Sequence, residues 1–188
     1  MVQVIRQSGR NIDANRLLAI TRALRDRNLN VGWFESARYD DDTPVAGVAA
    51  LHEFGSAVNK IPPRPFMRPT IADNQADWRS VTETGFRRVF QGRGEPGLVL
   101  ELLGLRVSGK IRQAIAQLRD PPLSPVTLAL RKQIIAGQTI NRTRVRATGA
   151  AIAAGRTGPG ELGDSSGINP KPLVFTAFML NSLTYVVE

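Results

Sequence analysis

The sequence predicts an α+β domain, in which a small antiparallel β-sheet packs against several helices. Short strands are indicated at Val2 and Val4, at Asn30–Glu35 and at Leu183–Val187, and the stretches between them have helical spacing of apolar residues. The strands precede and follow the helices without regular βαβ alternation, which favours an α+β arrangement. A chain of 188 residues fits one domain, which we place at 1–188.

The first predicted helix begins at Asn11 or Asp13, either of which can cap it, and runs to about Asn28. Its inner face is predicted from residues spaced three and four apart: Leu17, Ile20, Thr21 and Leu24.

A rigid segment follows between Thr43 and Thr70. Thr43 is a candidate helix cap, with Pro44 at the first helical position, and Gly55 is expected to end the helix at positive φ. Prolines then predict an extended, strand-like connection over Ile61–Pro69, because proline fixes its own φ and restricts the residue before it.

Two long helices are predicted next. One runs from Pro69 to near Gly92, and the other ends at Asp120-Pro121-Pro122. A shorter helix begins after Ser124, a predicted cap that is followed by Pro125. A final helical turn is predicted around Ala177–Asn181.

Residues 134–169 are rich in Gly, Ala, Thr and Arg. Because such a stretch buries little apolar surface, we predict a long loop, or a segment ordered only by a partner. Arginines in this loop without local acidic partners are candidates for contacting phosphates: Arg142, Arg144 and Arg146.

Composition argues against common catalytic chemistries. The chain has no cysteine, which excludes disulfides and thiolate metal sites, and its single histidine is His52. No apolar run approaches the length of a membrane span, and the first ten residues lack the apolar block of a signal peptide. We therefore predict no enzyme, catalytic residue, metal, cofactor or membrane association, and a setting in the cytoplasm or in a particle assembled there.

Three partial motifs fail on context. Gly104–Ile111 matches GxxxxGK but ends in Ile where a magnesium-binding hydroxyl is needed, and it lies in a helical pattern. Gly158–Gly163 spells GxGxxG without a strand–turn–helix setting, and His52-Glu53 lacks the second histidine of a zinc-protease motif. We expect His52 and Glu53 to cap or brace a helix end.

The net charge of +9 comes almost entirely from arginine, and it favours an acidic partner such as nucleic acid. Aromatic residues make up 6% of the chain, too few for a platform on which single-stranded bases stack.

Three segments, in order along the chain, carry a family resemblance. They are HEFG followed by IPPRPFMRPT (His52–Thr70), PPLSPVTLAL (Pro121–Leu130) and KPLVFTAFMLNSLTYV (Lys171–Val186). Together they resemble the tail-completion, or neck, proteins of tailed double-stranded-DNA bacteriophages. Residues 134–169 stand where that family has a short connection, which makes them an expected insertion. Phe175 stands where the family usually has Asp, and Ala177 where it usually has Gly.

The resemblance implies a virion subunit that acts by assembly. It would form a ring, commonly sixfold, at the head–tail junction, between the connector and the tail terminator or tail tube, with DNA passing through the lumen. Arg142, Arg144 and Arg146 would then line the channel. The alternative is a basic protein that binds DNA without sequence specificity outside the particle. Candidate contacts to a neighbouring subunit are Arg64, Phe66, Arg68, Phe175 and Phe178; within this set we expect Phe66 to point inward and the two arginines to face the interface.

Overall fold

A computed structural model describes residues 14–25, 27–173 and 177–188. The predicted α+β class is confirmed, since the described residues form several helices and a small antiparallel sheet. The predicted strand at Val2 and Val4 lies outside the described residues. In chain order the elements are α1 (Ala14–Arg25), β1 (Leu29–Gly32), α2 (Val45–Phe54), α3 (Met67–Phe90), α4 (Pro96–Gln117), α5 (Pro125–Ile135), α6 (Arg142–Ala153), α7 (Phe178–Asn181) and β2 (Thr184–Val187).

The chain divides into two compact units, each assembled from separated segments. Unit 1 contains the chain up to Gly32, Thr70–Lys110 and Thr184–Glu188. Unit 2 contains Trp33–Pro69 and Ile111–Leu183. A single domain over 1–188 stays a prediction.

Unit 1 has its core where α1, α3 and α4 meet. Ile20, Val89 and Val99 are buried there, and a Cβ on Gly85 would lie only 2.7 Å from a methyl group of Val99. Glycine at position 85 therefore lets α3 and α4 approach closely. The buried face of α1 is narrower than the sequence predicted, because Leu17 was assigned to it and is 46% exposed.

The sheet of unit 1 consists of β1 and β2, which pair antiparallel with Leu29 opposite Val187 and Val31 opposite Tyr185. It packs against α4 at Gly104, where a Cβ would lie 2.4 Å from the Tyr185 ring and 2.9 Å from Leu29 Cδ1. The glycine of the GxxxxGK-like pattern thus permits close helix–sheet packing. The helical setting predicted for this pattern is confirmed, since Gly104–Ile111 lies within α4.

In unit 2, the prediction of a continuous loop over 134–169 is wrong. Arg142–Ala153 is a helix, α6, whose cap Asn141 accepts a 2.8 Å hydrogen bond from the amide of Arg144. The loop prediction was wrong because it assumed that low apolar content prevents packing. The small residues Thr148 and Ala151 are instead fully buried, and Thr148 receives a hydrogen bond from Gln133 of α5.

Side-chain hydrogen bonds and an ion pair also fix the conformation of the connection after α6. Asp164 is 4% exposed, pairs with Lys132 Nζ at 2.6 Å, and accepts hydrogen bonds from the amides of Gly160 and Ser166. The bond from Lys132 is the main cause that holds the pKa of Asp164 well below its usual range, and the two amides lower it further. This segment, which contains the GxGxxG-like sequence, is therefore a compact loop.

The starts of the helices follow the sequence to different degrees. Ser124 caps α5 as predicted, accepting from the amide of Thr127, and Pro125 begins the helix. Thr43 does not cap α2, because the helix begins one residue later and Pro44 occupies the cap position; the Thr43 amide instead donates to Asp41. Met67 begins α3, so the extended segment predicted for Ile61–Pro69 is wrong over its last three residues.

Other contacts within unit 2 bring distant segments together. The Trp33 indole donates a 2.7 Å hydrogen bond to the carbonyl of Met179, 146 residues away along the chain. None of the helices in the described part of the chain is long and apolar enough to cross a membrane.

Candidate functional site

The three segments that carry the family resemblance meet inside unit 2 at two buried arginines. Arg64, in the first segment, is only 4% exposed. Its Nε donates to the carbonyl of Pro121 at 2.9 Å, and its Nη2 donates to the carbonyl of Pro122 at 3.0 Å. The guanidinium fork thereby ties the first segment to the second.

Arg131 of α5, the residue directly after the second segment, connects it to the third segment. It is 8% exposed, and its Nη1 donates to the carbonyls of Asn169 and Lys171 at 3.2 and 2.8 Å. Its Nη2 donates to the carbonyl of Pro172 at 2.7 Å. We call the set Arg64, Arg131 and their carbonyl acceptors the motif junction.

Burial lowers the pKa of both arginines, and the charge of Arg64 adds to the lowering at Arg131. Guanidinium groups nevertheless stay protonated in proteins. The carbonyl oxygens offset part of the cost of removing these cations from water. The motif junction is therefore a fixed, charged anchor within unit 2.

Glu53, in the last turn of α2, joins α2 to α3 because its carboxylate caps the start of α3. Its Oε2 accepts from the amides of Phe66 and Met67 at 2.7 and 3.0 Å, and its Oε1 accepts from the amide and the Nε of Arg68 at 3.1 and 2.9 Å. Burial by itself raises the pKa of Glu53, but these hydrogen bonds outweigh it and lower the pKa overall. Glu53 does brace a helix end, but that end is the start of α3 and not the end of its own helix, where the sequence had placed the role.

His52 lies beside the motif junction. The carbonyl of His52 accepts a 2.7 Å hydrogen bond from the amide of Arg64, and the imidazole Nδ1 is buried without a hydrogen-bond partner among the described residues. Burial is the main cause that lowers the pKa of His52, and the positive charges of Arg64 and Arg131 lower it further. A neutral imidazole is therefore favoured at this position.

Gly55 turns the chain between α2 and the proline segment. Its φ is +74°, and a Cβ there would lie 2.7 Å from the Pro63 nitrogen. The loop that follows is closed by paired backbone hydrogen bonds between Ser56 and Ile61, and its tip carries Val58, which is 93% exposed. The positive φ predicted for Gly55 is confirmed.

The surface nearest these buried groups presents an aromatic ring stacked with a cation. Phe54 is 64% exposed, and the Arg68 guanidinium carbon lies 4.7 Å from its ring centroid. We call Phe54 and Arg68 the exposed rim. Sequence patterns did not single out Phe54. The signal that could have found it is its position as an aromatic residue in the last turn of α2, directly after Glu53, which is buried.

The structure separates the predicted interface residues. Phe66 is 2% exposed and meets the Trp33 ring edge-on at 5.9 Å, so it is a core residue, as its expected inward orientation required. Arg64 does not face outward as expected, because its guanidinium is buried in unit 2 and donates to a carbonyl that is distant in sequence. Arg68 remains exposed, and Phe178 is 39% exposed with its ring 5.2 Å from that of Tyr39. Phe175 lies outside the described residues.

The three arginines proposed for the DNA channel differ in their surroundings. Arg142 and Arg146, one turn apart on α6, are exposed and line a shallow depression together with Val145. Arg144 is partly buried and donates to the side-chain oxygens of Gln133 and Gln138. The exposed pair is therefore better placed than Arg144 to meet an anionic partner.

Among the described residues, no group of three or more His, Cys, Asp and Glu side chains is arranged to hold a metal ion. Comparisons of the chain with protein-family models, with characterised proteins and with solved structures found no match.

Proposed function

We propose that this protein is a structural subunit that forms a homomeric ring, in the role of a tail-completion or neck protein of a tailed bacteriophage. The observation that carries the proposal is the motif junction. Arg64 joins the first of the segments that resemble the phage family to the second, and Arg131, the residue directly after the second segment, bonds to the third, although the three lie far apart in sequence. The resemblance therefore coincides with one coherent substructure.

The motif junction and the Glu53 cap hold the exposed rim on a rigid support. Phe54 ends α2 and Arg68 lies in the first turn of α3, and Glu53 connects these two turns. Aromatic and arginine side chains are enriched at protein interfaces, and a preorganised patch loses little entropy on docking. We assign the exposed rim to a contact with a neighbouring subunit or with the adjoining ring.

In this proposal the ring lies in the virion neck, between the connector and the tail terminator or tail tube, and is assembled in the host cytoplasm. Arg142 and Arg146 face the DNA that passes through the lumen. Such contacts neutralise phosphates and do not read bases.

A second candidate is a basic protein that binds DNA outside the particle. The specific observation in its favour is the exposed arginine pair of α6 on a chain with net charge +9. It expects the monomeric protein to bind duplex DNA and to be absent from purified particles.

Mass photometry and electron microscopy of the purified protein, alone and with its tail partner, test the proposed ring. We expect closed rings, and we expect Phe54→Ala to raise the protein concentration needed for assembly at least about tenfold, the effect of losing one interface aromatic. Ile135→Ala is the matched control, because Ile135 is 66% exposed, close to the 64% of Phe54.

A wild-type protein that stays monomeric with its partner, and that is missing from particles, would refute the ring. Equal assembly by the two variants would instead remove only the role of Phe54.

A further inference from the structure

An apolar stripe on α4 lies on the surface of unit 1. Leu98, Leu102 and Leu105 are 63%, 53% and 57% exposed, and their spacing of four and three residues places them along one side of the helix. No described residue covers this leucine stripe. Isolated exposed leucines are ordinary, but a continuous row marks a docking surface.

Two carboxylates and one guanidinium lie at the first end of the leucine stripe, where Arg27 Nη1 comes within 3.4 Å of the Cβ position of Gly97 and lines the same depression as Glu95 and Glu101, which leaves a net negative charge. Glu95 immediately precedes α4, and Glu101 adjoins Leu102 in sequence and also bonds with the Tyr185 hydroxyl. At the opposite end Arg106 is already paired with Asp77 of α3 at 3.0 Å. The stripe therefore favours a partner surface that is apolar and basic.

A surface of this kind is present on α1 of the same unit. Leu17 and Leu18 are 46% and 53% exposed, and Leu18, Arg22 and Arg25 follow one another at helical spacing. The sequence of α1 contains no acidic residue. We call Leu17, Leu18, Arg22 and Arg25 the α1 patch.

We propose that the α1 patch of one subunit docks on the leucine stripe of a second copy of this chain. The two surfaces match in apolar content and have opposite charge, whereas either surface meeting its own copy would bring like charges together. Contact between two different patches is heterologous, and it closes into a ring when the rotation between subunits permits. This inference rests on the proposed ring and names the surfaces that would build it.

Disulfide trapping tests the contact cleanly, because the chain has no cysteine of its own. Leu18→Cys and Leu102→Cys are prepared as separate proteins and oxidised alone and as a mixture, after mass photometry has recorded whether the wild-type protein forms rings. A disulfide-linked dimer is expected only in the mixture. A chain with both substitutions should give a ladder of linked subunits up to the full ring. Ile135→Cys mixed with Leu102→Cys is the control and should not cross-link.

A cross-link in either single variant by itself would replace the heterologous contact with a symmetric one and overturn the proposal. Rings without a cross-link in the mixture would also overturn it, and would leave the stripe to another occupant, such as residues 1–13 or a different neck protein. A cross-link without rings would support the contact and count against the ring. Neither rings nor cross-link would refute both.

Charge exchange gives a second, independent measure. Glu101→Arg should weaken subunit association at least about tenfold, and adding Arg22→Glu to the same chain should restore most of it. An additive loss in the double variant would contradict the pairing of these surfaces.

Discussion

Arg64 and Arg131 show how single side chains in this protein depart from their usual surroundings. Arginine is rarely buried unless paired, and that expectation placed Arg64 at the surface. The structure buries it because carbonyls of Pro121 and Pro122 converge on its guanidinium. Those acceptors come from a segment more than fifty positions away, with separations of 57 and 58 residues, so local sequence contains no signal of the burial.

His52 gives a pH prediction. Its folded pKa lies below the ordinary value of 6.5, so the unfolded chain takes up a proton more readily than the folded chain. The resulting stabilisation is present above pH 6.5 and is lost as the pH falls towards the folded pKa. We expect the free energy of unfolding to fall between pH 7.5 and 5.5, and His52→Gln to remove most of this dependence, as measured by urea denaturation.

Glu53 and Asp164 add a separate acid sensitivity. Both carboxyls have a folded pKa below their ordinary values of 4.5 and 3.8, so their stabilisation is lost only at lower pH. They therefore do not confound the interval from 7.5 to 5.5. If His52→Gln and the wild type lost stability equally across that interval, the assignment to His52 would be wrong.

Gly55 allows a test of backbone strain at a single residue. Gly55→Ala forces a Cβ at positive φ against the Pro63 nitrogen, so it should lower the free energy of unfolding by more than about 1 kcal/mol. Gly47→Ala is the control: it lies within α2 with nothing within 4 Å of its Cβ position, and it should stabilise by about 0.5–1 kcal/mol. Chemical denaturation measures both changes, and a similar sign for the two would refute the strain at Gly55.

Among the secondary-structure elements, sequence patterns located most helices, misplaced the starts of α2 and α3, and missed α6. The start of α5 was predicted correctly because its signal is local: the cap residue Ser124 is followed directly by Pro125 at the first helical position. The start of α3 depends on Glu53, a side chain 13 residues before Phe66, and only the folded chain brings the two together. The sequence of α6 suggested a loop because it contains few large apolar residues. Its small residues Thr148 and Ala151 are buried only because α5 lies close to them in the folded chain, and local sequence does not show this contact.

The contact between the sheet and α4 yields a prediction for an element. Gly104→Ala would push the Cβ into Tyr185 and Leu29, and overpacking of this kind costs about 1–3 kcal/mol. Gly109→Ala, in the same helix with nothing within 4 Å of its Cβ position, should instead stabilise by about 0.5–1 kcal/mol. Hydrogen exchange at the β1 and β2 amides should become faster in the first variant only. Unchanged exchange in Gly104→Ala would contradict the packing role.

For the whole molecule, the charge of +9 indicated an anionic partner, but composition does not show which arginines are available. Arg142, Arg144 and Arg146 look equivalent in sequence. The structure distinguishes them, because the Gln133 and Gln138 side chains engage Arg144 and leave the exposed pair on the first turns of α6.

That difference predicts the salt dependence of DNA binding. Replacing Arg142 and Arg146 with Gln should weaken binding to duplex DNA and reduce the slope of log affinity against log salt by about two, because each arginine that neutralises a phosphate releases about one counterion. Arg144→Gln changes one charge on the same helix and should have a smaller effect on the slope. Fluorescence anisotropy across a salt series measures both, and equal changes per arginine in the three positions would refute the distinction.

If the protein comes from a phage, as proposed, the same variants tested in that phage separate the two candidate functions. Particles that remain infectious with Arg142 and Arg146 both replaced would exclude an essential DNA contact by this pair, while leaving the ring intact. Loss of infectivity with normal rings would instead support a role in DNA passage.

The hydrogen bond from Trp33 to Met179 has a consequence for how the protein is made. It spans 146 residues, and β1 likewise pairs with β2. A ribosome that has synthesised the chain through α6 has produced neither β2 nor the carbonyls at 169–172 that Arg131 grips. Both units therefore stay incomplete until β2 and the segment before it have been synthesised. Nascent chains should remain protease-sensitive until that point, so products terminated before it would lack the finished surfaces that the proposed assembly needs.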